Sequence, residues 1–143
     1  MTEPLYGTYY PSIDSKGRMA FPNKLREIIG PSFYIVPGRG GKFLSVYSPE
    51  EYEKFKEKLN TIPDVKGDIA RRYYIGASDK QICDKQGRIF IKDNLRQFAE
   101  ITDEVVVVGV SYKAEIWSKA NWDEFNAGVL LADIDAALAD LVL

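Results

Sequence analysis

The chain has 143 residues, 45% hydrophobic and 28% charged, which is typical of one globular domain or two very small ones and excludes a disordered tail. Its net charge of −2 weighs against a nucleic-acid binder unless positive charge is concentrated locally. The chain has no histidine, and so it lacks the commonest general base and the commonest metal ligand. We therefore expect no enzyme, no metal site and no cofactor.

Cysteine usage and hydropathy indicate a cytoplasmic protein. Cys83 is the sole cysteine, which rules out an intrachain disulfide and favours a reducing compartment. No apolar run approaches the ~20 residues that span a bilayer. The N-terminal stretch MTEPLYGTYY has an acidic residue and no apolar core, so we expect neither a signal peptide nor a membrane partner.

The sequence repeats itself at an offset of 70 residues. With that shift the halves align without a gap, and IDSKGR (13–18) falls on CDKQGR (83–88). SVYSPEEYEKF (45–55) likewise falls on EIWSKANWDEF (115–125). An ordered set of matches over this length is not expected by chance, so we predict a duplication that gives two pseudo-symmetric halves.

The first half predicts a definite order of elements. An extended stretch, LYGTYYPSI, leads into an Asp-x-x-Gly-Arg turn, and RMAF follows as a strand with alternating sides. NKLREIIG is a short helix that Gly30-Pro31 stops, and FYIV and FLSVY are two further strands. Ser48-Pro49-Glu50-Glu51 is a capping box that starts a second helix, with Tyr52, Phe55 and Leu59 on one face.

The second half follows after a short connection in which DIARRYYIG predicts a helix. SDKQIC, RIFIK, DNLRQFAE, EVVVVGV and AEIW then repeat the elements of the first half. The two halves are expected to share one core, because about 70 mostly β residues are marginal alone. We place the first half at 1–62, the connecting helix at 63–76, the second half at 77–127 and a C-terminal amphipathic helix or tail at 128–143.

The repeated turn has a structural and a functional interpretation. Asp accepts hydrogen bonds from local backbone N–H groups, and Gly reaches φ > 0 without steric cost, so both residues favour a tight turn. Arg18 can fold back onto Asp14 in an ion pair that only holds this turn. Alternatively, Lys16 in the first turn and Lys85 in the second make two basic loops, and twin basic loops suit the phosphate backbone of DNA.

These motifs together resemble the MraZ family, built on two copies of an AbrB-like (SpoVT/AbrB) element. YPSIDSKGRMAFPNKLRE resembles the first copy, CDKQGRIFIKDNLRQFA the second, and EVVVVGV with AEIWSKANWDEF the closing strands and helix, over residues 6–127. Lys92 departs from the pattern, which usually has Pro there, as Pro22 is in the first copy. The resemblance implies an α+β, mainly β fold: an AbrB-like swapped-hairpin β-barrel formed by two pseudo-symmetric halves, with peripheral helices.

The resemblance also implies a function. MraZ proteins are bacterial transcriptional regulators that bind promoter direct repeats of the division and cell-wall gene cluster, associate with the nucleoid and assemble into rings. We therefore expect binding to double-stranded DNA as a ring-shaped homo-oligomer, with no small-molecule ligand. The expected DNA-binding residues are Lys16, Arg18, Lys85, Gln86 and Arg88, and the loop-shaping residues are Asp14, Gly17, Asp84 and Gly87. The competing hypothesis is a structural ring or protein-interaction module on the same fold.

Two basic motifs outside the turns receive structural interpretations. PGRGGK (37–42) lacks the spacing of a phosphate loop and predicts a hairpin loop, in which Arg39 and Lys42 could add basic contacts. Arg71-Arg72 is either a solvated helix face or a patch on the DNA side, and the solvated face is favoured.

Aromatic residues and the C-terminus favour packing. Tyr47, Tyr52, Trp117 and Trp122 predict core or subunit contacts over base stacking, and Cys83 predicts a small buried residue. The C-terminal segment carries an apolar stripe whose acidity argues against DNA contact. That stripe either packs on a neighbouring subunit or the chain's own core, or belongs to a tail; it comprises Leu130, Leu131, Ile134, Leu138 and Leu141.

Overall fold

The computed structural model describes residues 3–143 as a mixed α+β fold. The strands are β1 (Thr8–Tyr9), β2 (Arg18–Ala20), β3 (Ser32–Pro37), β4 (Leu44–Tyr47), β5 (Asp79–Ile82), β6 (Arg88–Phe90), β7 (Val105–Gly109) and β8 (Ala114–Ser118). The helices are α1 (Asn23–Ile29), α2 (Pro49–Asn60), α3 (Asp64–Tyr74), α4 (Asp93–Phe98), α5 (Lys119–Ala127) and α6 (Leu131–Ala137). Within residues 3–143, no helix combines the length and apolar character needed to cross a bilayer.

The strands form two sheets that preserve the symmetry of the repeat. One has six strands in the order β1-β7-β8-β4-β3-β5, and the other has two, β2-β6. Strands β1, β3 and β4 of the first half correspond to β5, β7 and β8 of the second. The order of the larger sheet therefore reads the same from either edge when the halves are exchanged.

The first strand of each half pairs with the other half. β1 pairs with β7, where Thr8 lies opposite Val108, and β5 pairs with β3, where Asp79 lies opposite Ile35. β2 and β6 also come from different halves and form a two-stranded antiparallel unit, hereafter the ribbon. The larger sheet ends at β1 and β5 without closing, so the swapped-hairpin barrel stays a prediction.

One buried cluster joins the two halves, which confirms the shared core. Met19 of β2 and Ile89 of β6 lie opposite each other in the ribbon and are almost fully buried. Leu25 of α1 and Leu95 of α4, which are equivalent at the offset of 70, belong to the same cluster. Burial of this apolar surface stabilises the fold only when both halves are present.

The structure corrects the ungapped alignment. Tyr34 pairs with Tyr47 across β3 and β4, whereas Val106 pairs with Trp117 across β7 and β8. Because Tyr47 and Trp117 are equivalent in the repeat, the hairpin of the first half is two residues longer. The longer connection contains PGRGGK, which is a hairpin loop as predicted, with Gly38 N–H donating to the Phe43 carbonyl at 2.7 Å.

Local signals placed the helices well. Ser48 Oγ accepts a hydrogen bond from the Glu51 N–H at 3.2 Å and caps α2, and Ser118 caps α5 in the same way. The helix expected in the connection is α3. Lys92 adopts φ −60° and ψ 153°, close to Pro22 at −54° and 128°, so Lys takes the conformation that Pro imposes and α4 begins next to it.

Packing of the aromatic residues is confirmed, whereas Cys83 is less buried than predicted. Tyr47 and Tyr52 are buried in a cluster with Val36, and Trp117 stacks on Phe43 with ring centroids 4.7 Å apart. Cys83 is half-buried, and burial raises the pKa of its thiol. A single small residue at the edge of the core makes fewer contacts than one at its centre.

Arg71 differs from expectation, and the exposure of α6 removes one of the alternatives left open for the C-terminal stripe. The Arg71 guanidinium donates to the carbonyls of Leu59 and Ile62 at 3.0 and 3.2 Å, so the half-buried Arg71 holds the connection between α2 and α3. Arg72 is exposed on α3, as expected for a solvated helix face. Leu131 and Ile134 of α6 are 79% and 44% exposed. The chain's own core therefore does not cover the C-terminal stripe, and a neighbouring subunit or a tail remain as the alternatives.

Candidate nucleic-acid interface

In the first turn, one carboxylate organises the whole loop. Asp14 Oδ1 accepts from the backbone N–H groups of Lys16 and Arg18, both at 2.9 Å, and Oδ2 accepts from Arg18 Nε at 2.9 Å. Gly17 N–H donates to the Asp14 carbonyl at 3.0 Å, and Gly17 has φ +91°. Only Gly adopts such a φ without strain, so Asp14 and Gly17 together shape the turn.

The second turn reproduces the same geometry. Asp84 Oδ1 accepts from the N–H groups of Gln86 and Arg88 at 2.9 and 2.8 Å, and Oδ2 accepts from Arg88 Nε at 3.0 Å. Gly87 has φ +77°. Both turns therefore contain the local ion pair that the structural interpretation predicted.

The ion pair does not use the whole guanidinium group. Asp14 and Asp84 engage only the Nε atoms of Arg18 and Arg88. In the part of the chain that the structure describes, the terminal Nη nitrogens of these two arginines make no hydrogen bond or ion pair, and their side chains are 43% and 40% exposed. The carboxylate thus orients each guanidinium and leaves its outer edge, a planar pair of donors, directed at solvent.

Hydrogen bonding keeps the two carboxylates charged. The pKa of Asp14 lies below its ordinary value of 3.8, chiefly because the Arg18 backbone N–H donates to it. Desolvation is the next-largest effect and raises that pKa, but hydrogen bonds from the Arg18 side chain and the Lys16 N–H lower it further, so the net shift is downward. The pKa of Asp84 is lowered in the same way by Arg88 and Gln86.

The ribbon places both arginines on one exposed face. Arg18 lies opposite Phe90, and Arg88 lies opposite Ala20. The central residue of each strand is buried, so the outer residues all point to the other side. Arg18 and Arg88 are diagonal neighbours on that side, a position in which residues lie about 7–8 Å apart and their Cβ atoms somewhat closer. They form one surface instead of two distant loops.

Each turn is supported by the helix of the opposite half. The Arg96 guanidinium of α4 packs against Gly17, and its Nε donates to the Ile91 carbonyl at 2.9 Å. The Arg26 guanidinium of α1 packs against Gly87 in the equivalent way. Sequence reasoning missed these supporting roles, although Arg26 and Arg96 fall on each other at the offset of 70.

The remaining predicted DNA-binding residues lie in the same two turns. Lys16, Lys85 and Gln86 are exposed, and their side chains make no hydrogen bond or ion pair within residues 3–143. Each hexapeptide carries two cations against one carboxylate, so the surface is locally basic on a chain whose net charge is −2. The acidic net charge of the chain therefore does not weigh against nucleic-acid binding at this surface, because positive charge is concentrated locally.

Fold and site together define a class: duplicated α+β proteins whose interlocked halves present two Asp-x-x-Gly-Arg turns on a shared ribbon. The family model described as "MraZ protein, putative antitoxin-like" matches residues 5–70 and 75–143. The chain belongs to the MraZ family. The second match reaches residue 143, so it includes the C-terminal segment that the resemblance had left out.

Curated relatives agree with this assignment. A protein named Transcriptional regulator MraZ from Thermoanaerobacter sp. (strain X514) is 42% identical over 142 residues, which are 96% of this chain and 98% of that protein. Proteins of the same name from Desulforamulus reducens and Caldanaerobacter subterraneus subsp. tengcongensis are 40% and 42% identical over 124 residues, 85% of this chain and 86% of each relative. These names denote a transcriptional regulator, which is not an enzyme class.

Proposed function

We propose that this chain is a transcriptional regulator that binds double-stranded DNA through the exposed face of the ribbon. The observation that carries the proposal is the state of Arg18 and Arg88. Each guanidinium is held by a carboxylate at Nε, and its Nη edge is exposed without a partner in residues 3–143. A fixed arginine fork is the side chain best suited to guanine O6 and N7 or to a phosphate.

The residues of the two turns divide naturally between base and backbone contacts. Arg18 and Arg88 are the proposed base-reading residues, because the ribbon is narrow enough for the major groove. Lys16, Lys85 and Gln86 lie in the preceding loop positions and are proposed to contact phosphate and sugar. Asp14, Gly17, Asp84 and Gly87 shape the loops and do not touch DNA in this proposal.

The proposal includes a ring-shaped homo-oligomer on promoter direct repeats of the division and cell-wall gene cluster, in a nucleoid-associated cytoplasmic protein. One chain offers a small contact surface, so modest contacts from several subunits must add to give tight binding on tandem sites. The exposed apolar side of α6 supports an additional subunit contact. The swapped-hairpin barrel of AbrB-like proteins belongs to the same proposal.

The test measures binding of the protein, at fixed salt concentration, to the DNA upstream of its own gene. Arg18→Ala and Arg88→Ala should each weaken DNA binding at least tenfold with little change in melting temperature, because an exposed ion pair contributes little to stability. Arg72→Ala on α3 is the matched control, since Arg72 is exposed and lies outside the ribbon. A large fall in melting temperature with unchanged binding by the folded fraction would show that the turns are only structural.

The same variants separate the regulator from a structural ring. If the protein only assembles, the parent should form an oligomer without retaining any promoter fragment. If it regulates transcription by binding DNA, the Arg18→Ala variant should lose DNA binding while its mass in solution stays that of the parent. Light scattering and a gel shift on the same samples measure both properties.

A further inference from the structure

The exposed face of the ribbon is asymmetric at one pair of equivalent positions. Phe90 of β6 is 41% exposed, whereas its counterpart at the offset of 70 is Ala20 of β2. Both point to the same face as Arg18 and Arg88, because the residue between them on each strand is buried on the other face. This face therefore has an aromatic ring opposite Arg18 and only a methyl group opposite Arg88.

The backbone at Phe90 is held in place from both sides. Neither member of the Arg18–Phe90 pair donates across the ribbon: Arg18 N–H donates to Asp14 Oδ1 at 2.9 Å, and Phe90 N–H donates to Gln81 Oε1 at 3.1 Å. The Gln81 amide is fixed in turn by donating to Asp79 Oδ2 at 2.7 Å. Pairs of this non-hydrogen-bonded kind bring the Cβ atoms of opposing residues closest, so the side chains of Phe90 and Arg18 leave the ribbon next to each other on this face.

A single exposed apolar residue needs no explanation on an ordinary surface. Phe90 differs because it lies between two arginines whose outer donors are free, on a ribbon of the width that enters the major groove. The apolar group displayed in that groove is the C5-methyl group of thymine, and phenylalanine is one of the side chains that contact it. The two arginines next to Phe90 complement the negative charge of DNA, so DNA is the partner that we assign to this face.

We propose that Phe90 fixes the direction in which the ribbon lies on DNA by packing against a thymine methyl group, whereas the much shorter Ala20 side chain buries less apolar surface and reaches less far into the groove. This inference rests on the proposed function. A ribbon with identical sides binds a site in either direction with equal affinity.

The two loops also differ, at Ser15 against Lys85 and at Lys16 against Gln86. Those side chains are proposed to contact phosphate and sugar, and such contacts carry no sequence information directly. On the base-reading face the ring is the difference between the two sides, so it makes the two directions on a given sequence unequal, and subunits on direct repeats must all lie in the same direction.

The first test changes only the DNA. A duplex with a single repeat, defined by footprinting on the upstream region, is prepared with each thymine replaced in turn by uracil, which lacks the methyl group. The unmodified protein should lose roughly three- to fivefold in affinity at one thymine, the effect of one buried methyl group. Phe90→Ala should bind the unmodified duplex and the duplex with uracil at that position equally. Val65→Ala, which changes an exposed apolar residue on α3, should behave as the parent. Equal affinity of the parent for every duplex would overturn the proposal.

The second test measures direction. In a Cys83→Ala background, Ser15→Cys carries an iron chelate that cleaves DNA near the first turn. The parent should cleave on one side of the repeat, Phe90→Ala on both sides, and the exchanged variant Ala20→Phe with Phe90→Ala on the other side. One-sided cleavage by Phe90→Ala identical to the parent overturns the role of Phe90. Absence of any binding by the parent overturns the proposed function instead, so the two failures are distinct.

Discussion

Arg26 of the first half lies against Gly87 of the second, and its guanidinium occupies the space that a side chain at position 87 would need. Arg96 stands in the same relation to Gly17. The turns that carry the proposed DNA-binding residues are thus shaped from inside by their own Asp and Gly, and from outside by the opposite half. Disturbing this support should affect stability and binding together.

Gly17→Ala is expected to be more destabilising than Gly40→Ala. Both glycines have a similar positive φ, +91° and +86°. Alanine in this left-handed conformation should therefore lower the free energy of unfolding by about 1 kcal/mol or somewhat more in both variants. A Cβ at residue 17 would lie 2.8 Å from the Ile91 carbonyl oxygen, whereas a Cβ at residue 40 meets nothing within 4 Å. Overpacking should bring the Gly17→Ala loss to roughly 2–4 kcal/mol.

Chemical denaturation measures this difference, and the Gly40 variant is the control for the backbone term. Gly17→Ala should also weaken DNA binding, because the Ile91 carbonyl and the turn must move apart. Equal losses of unfolding free energy in the two variants would contradict the crowding at Gly17.

Acid should remove the contribution of the two turn carboxylates. The pKa of Asp14 and that of Asp84 are lowered in the folded chain, so each carboxylate stabilises the fold above its unfolded pKa of about 3.8–3.9, and this stabilisation is lost as the pH falls through the folded pKa. The double variant Asp14→Asn with Asp84→Asn should therefore melt below the parent at neutral pH. The gap should shrink steadily below about pH 4.

Melting temperatures of both proteins across this range provide the measurement. Asp68→Asn, whose exposed carboxylate pairs with Arg71 on α3, is a control outside the turns. A gap between parent and double variant that stays constant into acid would mean that the carboxylates act through shape alone and not through charge.

Salt dependence should identify the loop lysines as phosphate contacts. The logarithm of the binding constant is expected to fall linearly with the logarithm of salt concentration, with a slope of about 0.9 per neutralised phosphate. Lys16→Ala and Lys85→Ala should each make that slope shallower by up to about 0.9. Lys66→Ala on α3, which removes an exposed lysine elsewhere, should leave the slope unchanged. A slope near zero for the parent would argue against phosphate contacts altogether.

Removal of the C-terminal segment should weaken the assembly of subunits and leave DNA binding by the ribbon of each subunit unchanged. Truncation after Gly128 keeps α5 and deletes α6 with its exposed side chains, including Leu131 and Ile134. We expect a lower mass in solution, unchanged affinity for a single repeat and reduced affinity for a multi-repeat duplex, because avidity depends on linked subunits. Unchanged mass together with unchanged multi-repeat affinity would show that the segment is a tail.

Local chemistry made much of the fold predictable. Ser48 and Ser118 cap helices from short-range signals, and the Asp14–Arg18 turn follows from the spacing of residues within one loop. The duplication itself was visible, because matched residues at a fixed offset need no knowledge of contacts. These features depend on neighbours in sequence, and pattern reasoning handles such neighbours well.

Long-range pairing was not predictable in the same way. Nothing near Thr8 in sequence indicates that β1 joins β7, and nothing near Arg26 indicates that it supports Gly87. The exposure of α6 could not be predicted either. An apolar stripe at helical spacing has the same sequence pattern whether it packs on the chain's own core, packs on another subunit or faces solvent. The candidate site was therefore predicted residue by residue but not as one surface.

The ribbon also dictates the order of events during synthesis. Met19 on β2 lies opposite Ile89 on β6 in the ribbon, and the two are separated by 70 residues of chain. At translation rates of about 5–20 residues per second, the apolar side of β2 waits for several seconds without its partner strand. The first half therefore leaves the ribosome with an incomplete core, and its final folding step is coupled to the emergence of the second half.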